Sequence, residues 1–103
     1  MERRYYKRLT TTKDIILFSG TSIRFGTLTN CSANGMYIKT LISWPLDSLL
    51  KVLIPFREEM VKVPVKVVRK EKDDNLYSQG IGVEPLNLSK EYLQFIINTN
   101  LEG

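Results

Sequence analysis

Hydrophobic positions along the chain come in short runs separated by turn residues, the spacing expected of strands in an all-β barrel or sandwich. Asp14 to Phe18 forms the first run, and Ser19-Gly20 closes it. Ser22 to Thr29 is the second, with Ile23, Phe25 and Thr27 alternating against Ser22, Arg24 and Gly26. Gly35 to Thr40 is the third; Trp44-Pro45-Leu46-Asp47 then turns the chain, and Leu49 to Pro55 is the fourth. The fifth shows the cleanest period of two, Val61, Val63, Val65 and Val67 alternating with Lys62, Pro64 and Lys66. Proline has no amide donor, so this strand is expected to have an unpaired edge at Pro64. Lys70 to Asn75 reads as a charged hairpin loop, and Leu76 to Glu84 as the sixth strand.

The period then changes. Ser89 is suited to cap a helix, Glu91 to its first turn, and Leu88 to staple against Leu93. Leu93, Ile96, Ile97 and Leu101 fall on one face at helical spacing. One amphipathic helix closing an end of a barrel, as a lid on the core, accounts for that stripe better than a partner-binding helix does. The expected fold class is all-β with one terminal helix.

Composition adds bounds to this picture. At 103 residues the chain fits one domain, long enough to bury a core without staples. Hydrophobic content of 43% and charged content of 25% are ordinary for a globular protein. No apolar run approaches the roughly 20 residues that span a bilayer, so no direct membrane insertion is expected. Glu2-Arg3-Arg4-Tyr5-Tyr6-Lys7-Arg8 is not followed by an apolar stretch, so it does not read as a signal peptide. The lone Cys31 has no partner for an internal disulfide, which fits a reducing compartment and a cytoplasmic location.

Charge is unevenly placed. Fifteen Lys and Arg against eleven Asp and Glu give a net +4. Arg3, Arg4, Lys7 and Arg8 against Glu2 put most of that surplus in residues 2 to 8, and the remainder is close to neutral. A protein that coats nucleic acid spreads basic residues over a face. A short basic arm suits a compact anion instead, and no long nucleic acid is expected as partner.

The chemistry that is missing narrows the function class. With no histidine and one cysteine, His/Cys metal sites and histidine-based triads or general bases are excluded. Glu58-Glu59 and Asp73-Asp74 fall in expected turns, where solvation explains them. Gly80-Ile81-Gly82 lacks the third glycine and the following helix of a dinucleotide site. No catalytic and no metal-binding residue is assigned, and a binding module is expected rather than an enzyme.

Two motifs remain. Arg4-Tyr5-Tyr6-Lys7-Arg8 places two guanidiniums four residues apart, and such planar forks match phosphate oxygens and the O6/N7 edge of guanine. Alone, the pair reads rather as a solvated basic tail. Asn30-Cys31-Ser32-Ala33-Asn34-Gly35 lies between two expected strands as a polar turn: Asn30 brings an amide, Ser32 a hydroxyl, and Gly35 access to backbone conformations closed to other residues. Alone, it reads as an ordinary turn.

Together, an RxxxR arm at Arg4 and Arg8 followed by an [D/N]xSxxG segment at Asn30, Ser32 and Gly35 resembles the PilZ domain family. The likeness extends over nearly the whole chain. Pro45-Leu46 before the fourth strand, Gly80-Ile81-Gly82-Val83-Glu84 in the last one and the closing helix are also similar. The resemblance implies a six-stranded antiparallel β-barrel closed by a C-terminal α-helix, over residues 13–103, with residues 1–12 as a flexible arginine-rich arm. It implies a ligand, the bacterial second messenger cyclic di-GMP, and no other cofactor. Arg4 and Arg8 would take its phosphates and guanine edges; Asn30 and Ser32 would meet the other guanine edge and the phosphoribose; Gly35 would allow close approach. In this family an arginine just before the motif goes with an intercalated pair of ligands, so Arg3 implies two per chain. Ligand would order the arm and so relay the signal to a protein effector, which the sequence does not identify, as in the control of motility or biofilm formation. Two readings compete: a PilZ-like protein-interaction domain that binds no nucleotide, and a small barrel binding single-stranded nucleic acid. The second needs exposed aromatics along a basic groove, whereas Phe18, Phe25, Tyr37 and Phe56 sit in strand patterns that read mostly as core.

Overall fold

A computed structural model of the chain describes residues 7–42, 44–72 and 79–102. Among these are six strands and one helix: β1 (Leu9–Ser19), β2 (Ser22–Ser32), β3 (Gly35–Thr40), β4 (Leu49–Phe56), β5 (Glu59–Lys72), β6 (Gln79–Pro85) and α1 (Lys90–Glu102). All neighbouring strands are antiparallel, and they close into a barrel in the order β1-β2-β3-β6-β5-β4. The expected six-stranded barrel with a terminal helix is what the chain forms.

The core follows from alternation. Val61, Val63, Val65 and Val67 all point inward and are buried, as their period required. They meet Leu17, Leu28, Ile38, Val52 and Ile54, each with no exposed surface. Pro64, between two inward valines, faces out. Its carbonyl accepts from the Leu86 amide (2.9 Å) just past the end of β6, so its missing N–H falls where the partner strand has stopped. The β3–β4 crossover is pinned to β5 by Asp47 N–H to Val67 O (2.8 Å) and Val67 N–H to Ser48 O (2.9 Å).

Several elements differ from the sequence reading. β1 starts at Leu9 rather than Asp14, because Leu9 is itself buried and pairs with Cys31. Residues 9–12, assigned above to the arm, are therefore strand. β5 runs on through Lys72, its Lys70 and Glu71 pairing with Ile81 and Gly80 beyond the valine core, where charges on the strand stay in solvent. That shortens the expected charged loop, and Asp73 to Ser78 lie outside the described residues. In β2 the phase is inverted: Phe25 and Ile23 are 73% and 54% exposed, while the fully buried Leu28 fixes the inward side.

Ser89 caps α1, its Oγ accepting from the Tyr92 amide (3.0 Å). The buried face of the helix is Tyr92, Phe95 and Ile96, with Leu93 packed beside it, whereas Leu101 is 79% exposed. The lid thus turns its aromatics inward, Phe95 packing edge-on to Phe56 at 5.6 Å between centroids. The aliphatic stripe found Ile96 and Leu93 but missed the aromatics and overran at Leu101, since tyrosine buries well once its hydroxyl has an acceptor.

Candidate functional site

Among the described residues three strand irregularities break the barrel's alternation, and two of them shape the candidate site. Between Leu28 and Asn30 the β2–β3 register shifts by one residue. Leu28 pairs with Ile38 inside the barrel, yet Asn30 pairs with the outer-face Tyr37 and Cys31 drops into the core. Without that bulge Asn30 would share the side of Leu28 and be buried. The same happens between Val67 and Arg69 in β5: Val67 is buried opposite Val83, and Arg69 faces out opposite Gly82.

Arg8 immediately precedes β1. Because Leu9 is anchored opposite Cys31, Arg8 is held beside the end of the β2–β3 hairpin. Its Nη1 donates to Asn30 Oδ1 at 2.9 Å. Its guanidinium lies over Gly35, where a Cβ would come within 3.2 Å of Nη2. Gly35 is not in the left-handed region, as positive-φ glycine occurs only at Gly20 among the described residues. Its role is room for Arg8, not the unusual backbone conformation anticipated for it. The expected Asn30–Gly35 turn is also smaller than it looked: Ser32 pairs with Gly35, leaving Ala33-Asn34 as a two-residue loop.

Ser32 has no exposed surface. Its Oγ donates to Asn34 Oδ1 (2.8 Å), and its carbonyl accepts from Tyr92 Oη (2.7 Å). In this state it locks the hairpin and ties it to α1. Arg3 and Arg4 lie outside the described residues, so the structure brings together Arg8, Asn30 and Gly35 and holds Ser32 behind them.

Beside Arg8 opens a cleft of about 290 Å³ on the outer face of β3, β6 and β5. Arg8, Asn34 and Gly35 line one side, and Arg69, Gly82 and Glu84 the other. Arg69 was not anticipated from sequence. It lies flat over Gly82, where a Cβ would meet its own Cβ at 3.2 Å, with Cζ 6.0 Å from the Tyr37 ring centroid. Glu71 holds it: Arg69 Nε is 3.3 Å from Oε1, and Tyr37 Oη donates to Oε2 at 3.0 Å. The cleft therefore carries two guanidiniums, from Arg8 and Arg69, and glycines at Gly35 and Gly82 that keep its wall low. That set suits a planar, anionic, hydrogen-bonding ligand. The consecutive Val67-Val68 was the sequence signal that alternation breaks just before Arg69.

Burial under the hairpin pushes the Cys31 thiol up to about 11, against a partial pull downward from the Arg8 charge. The Tyr92 phenol is driven far above its ordinary range, first by burial and then by Cys31, with Arg8 again opposing. Both groups are neutral packing elements at neutral pH.

The sequence profile of the PilZ domain matches residues 2–99. The chain belongs to the PilZ domain family. Solved PilZ structures share its fold. It superimposes on the Bacillus subtilis inhibitor of motility MotI/DgrA with a TM-score of 0.74 at 20% identity, over 99% of this chain and 53% of that one. It therefore spans about half the length of MotI/DgrA. The PilZ domain of Escherichia coli YcgR, solved with c-di-GMP, gives 0.69 at 15% identity over 98% of this chain and 94% of that one. The PilZ domain of CeSA from a cellulose-synthesizing bacterium gives 0.65 at 19% identity, over 94% and 99%. At these identities the likeness establishes the fold. No curated protein matches the chain in sequence. Among the described residues no helix is long and apolar enough to cross a membrane.

Proposed function

We propose that this PilZ domain is a non-enzymatic cyclic di-GMP receptor that grips the nucleotide between its arginine arm and the β2–β3 hairpin. The observation that carries the reading is the Arg8–Asn30 hydrogen bond of 2.9 Å, which joins the two family motifs across 22 positions of sequence at the mouth of the cleft. Arg8 has five N–H donors and gives one of them to Asn30, keeping donors for phosphate or a guanine edge. Asn30 orients the fork in advance, which lowers the ordering cost of binding. Ser32 then acts by shaping the hairpin, and Arg69 offers a second guanidinium at the far end of the cleft. YcgR, whose PilZ domain was solved with c-di-GMP, supports the choice of ligand.

Arg4 completes the clamp in this reading, and Arg3 sets a stoichiometry of two ligands per chain. Ligand orders the arm against the barrel and creates a composite surface for a protein effector in the bacterial cytoplasm. Calorimetric titration with cyclic di-GMP tests the proposal. Arg8→Ala should weaken binding by roughly 1.5–3 kcal/mol, ten- to a hundredfold. Arg3→Ala should reduce the ligand count. Unchanged affinity in Arg8→Ala would move the site elsewhere, and an arm equally protected from hydrogen exchange with and without ligand would rule out the ordering step.

A further inference from the structure

In the closed ring of strands β1 stands three places from β6 in either direction, so the outer face of β1 is diametrically opposite the ligand cleft. Toward the end of β1 that outer face is apolar, with Ile16 and Phe18 following the exposed Asp14. Cross-strand pairing puts Phe25, Ile16 and Leu53 in one row over β2, β1 and β4, and Ile23 and Phe18 in the next. Phe25 is 73% exposed and Ile23 54%. Beside Phe25 the chain leaving β3 presents Leu41, 75% exposed. Phe25 and Leu41 border a trough of about 410 Å³, larger than the ligand cleft. Isolated exposed apolar residues are ordinary, but aligned rows on one sheet face mark an interaction surface.

The rim identifies the partner. Lys39 lies next to Thr27, Lys51 next to Phe18 and Lys62 next to Leu53, and Asp14 is the one carboxylate within these rows among the described residues. A second copy of the chain would set these lysines against one another. A bilayer offers no protruding side chain to fill a trough. Strand addition has no place to start, because a closed barrel leaves β1 without a free edge. We propose that this face docks an amphipathic helix of a partner protein, apolar side chains seated between Phe25 and Leu41 and flanking carboxylates paired with Lys39, Lys51 and Lys62. The surface is separate from the cyclic di-GMP reading and does not depend on it.

The test is selection from a displayed library of helical peptides on the purified full chain, with Phe25→Ser/Leu41→Ser as counter-target. Apolar residues at helical spacing beside Asp or Glu are expected in the selected peptides, with affinity for the double variant lowered by about tenfold or more, as loss of anchor contacts requires. A charge-reversed Lys39→Glu/Lys62→Glu chain, which keeps the apolar rows, should lose the same peptides in a salt-dependent way; it also serves if the serine variant fails to unfold cooperatively. Basic peptides, peptides that bind all three proteins alike, or no enrichment would overturn the proposal. So would dimerisation in sedimentation that the serine variant abolishes, or co-sedimentation with phosphatidylglycerol-containing vesicles that it abolishes. Phe25 and Leu41 line no part of the cleft, so nucleotide titrations of wild type and serine variant should coincide, and failure of either site is read independently of the other.

Discussion

Tyr92 of the helix places its hydroxyl 2.7 Å from the carbonyl oxygen of Ser32, sixty positions away in the chain, and so couples the lid to the β2–β3 hairpin. Tyr92→Phe keeps the ring but leaves that carbonyl without its donor in a buried place. The expected loss is about 1–3 kcal/mol of unfolding free energy, read as a lower urea midpoint with an unchanged slope. An unaltered midpoint would mean that water takes over the bond.

Tyr92 and Cys31 together give the fold an alkaline limit. The Cys31 thiol, ordinarily at 9.0, is raised to about 11, and the Tyr92 phenol is raised from 10.0. Above pH 9 the unfolded chain therefore holds fewer protons than the folded one, and stability falls as pH rises. The stability is fully present below pH 9 and is lost progressively toward pH 11. Urea midpoints across that window should decline, and less steeply in Cys31→Ala, which no longer contributes a thiol.

Gly35→Ala separates site from fold. The added methyl would lie 3.2 Å from Arg8 Nη2, the end of a flexible side chain, so the barrel should tolerate it within about 1 kcal/mol. Arg8 would be displaced from Asn30, and cyclic di-GMP affinity should drop about tenfold, the worth of one charge-assisted contact. Calorimetry beside a thermal melt checks both halves.

Ile38→Ala is the opposite case. Ile38 has no exposed surface and pairs with Leu28 and Ile81 at the heart of β3. Its truncation should cost about 2–5 kcal/mol in urea unfolding, since the rigid barrel collapses poorly around the void.

Period two made β5 legible because its four valines alternate without interruption, and Ser89 announced the helix through its capping chemistry. The phase of β2 was not legible. Phe25 and Ile23 are more hydrophobic than Gly26 and Arg24, so the strongest local signal pointed to the wrong side, and only the long-range fit of Leu28 beneath Ile38 decides it. Of the proposed site, the motifs already singled out Arg8, Asn30 and Gly35, which the structure brings together. Arg69 could not, because its place over Gly82 depends on a register shift and on Glu71 and Tyr37 arriving from two strands. The reason for Gly35 lay likewise in a neighbour 27 positions upstream rather than in its own backbone.

The bulges at Thr29 and Val68 act as frame changes within a strand. Residues on one side of each follow the parity that fills the barrel, and residues on the other side follow the opposite parity. Asn30 and Arg69 thus occupy positions whose side is set by a single extra residue rather than by the demands of packing. Side chains there can be exchanged without disturbing the valine ladder, so the outer surface can be altered while the barrel stays as it is.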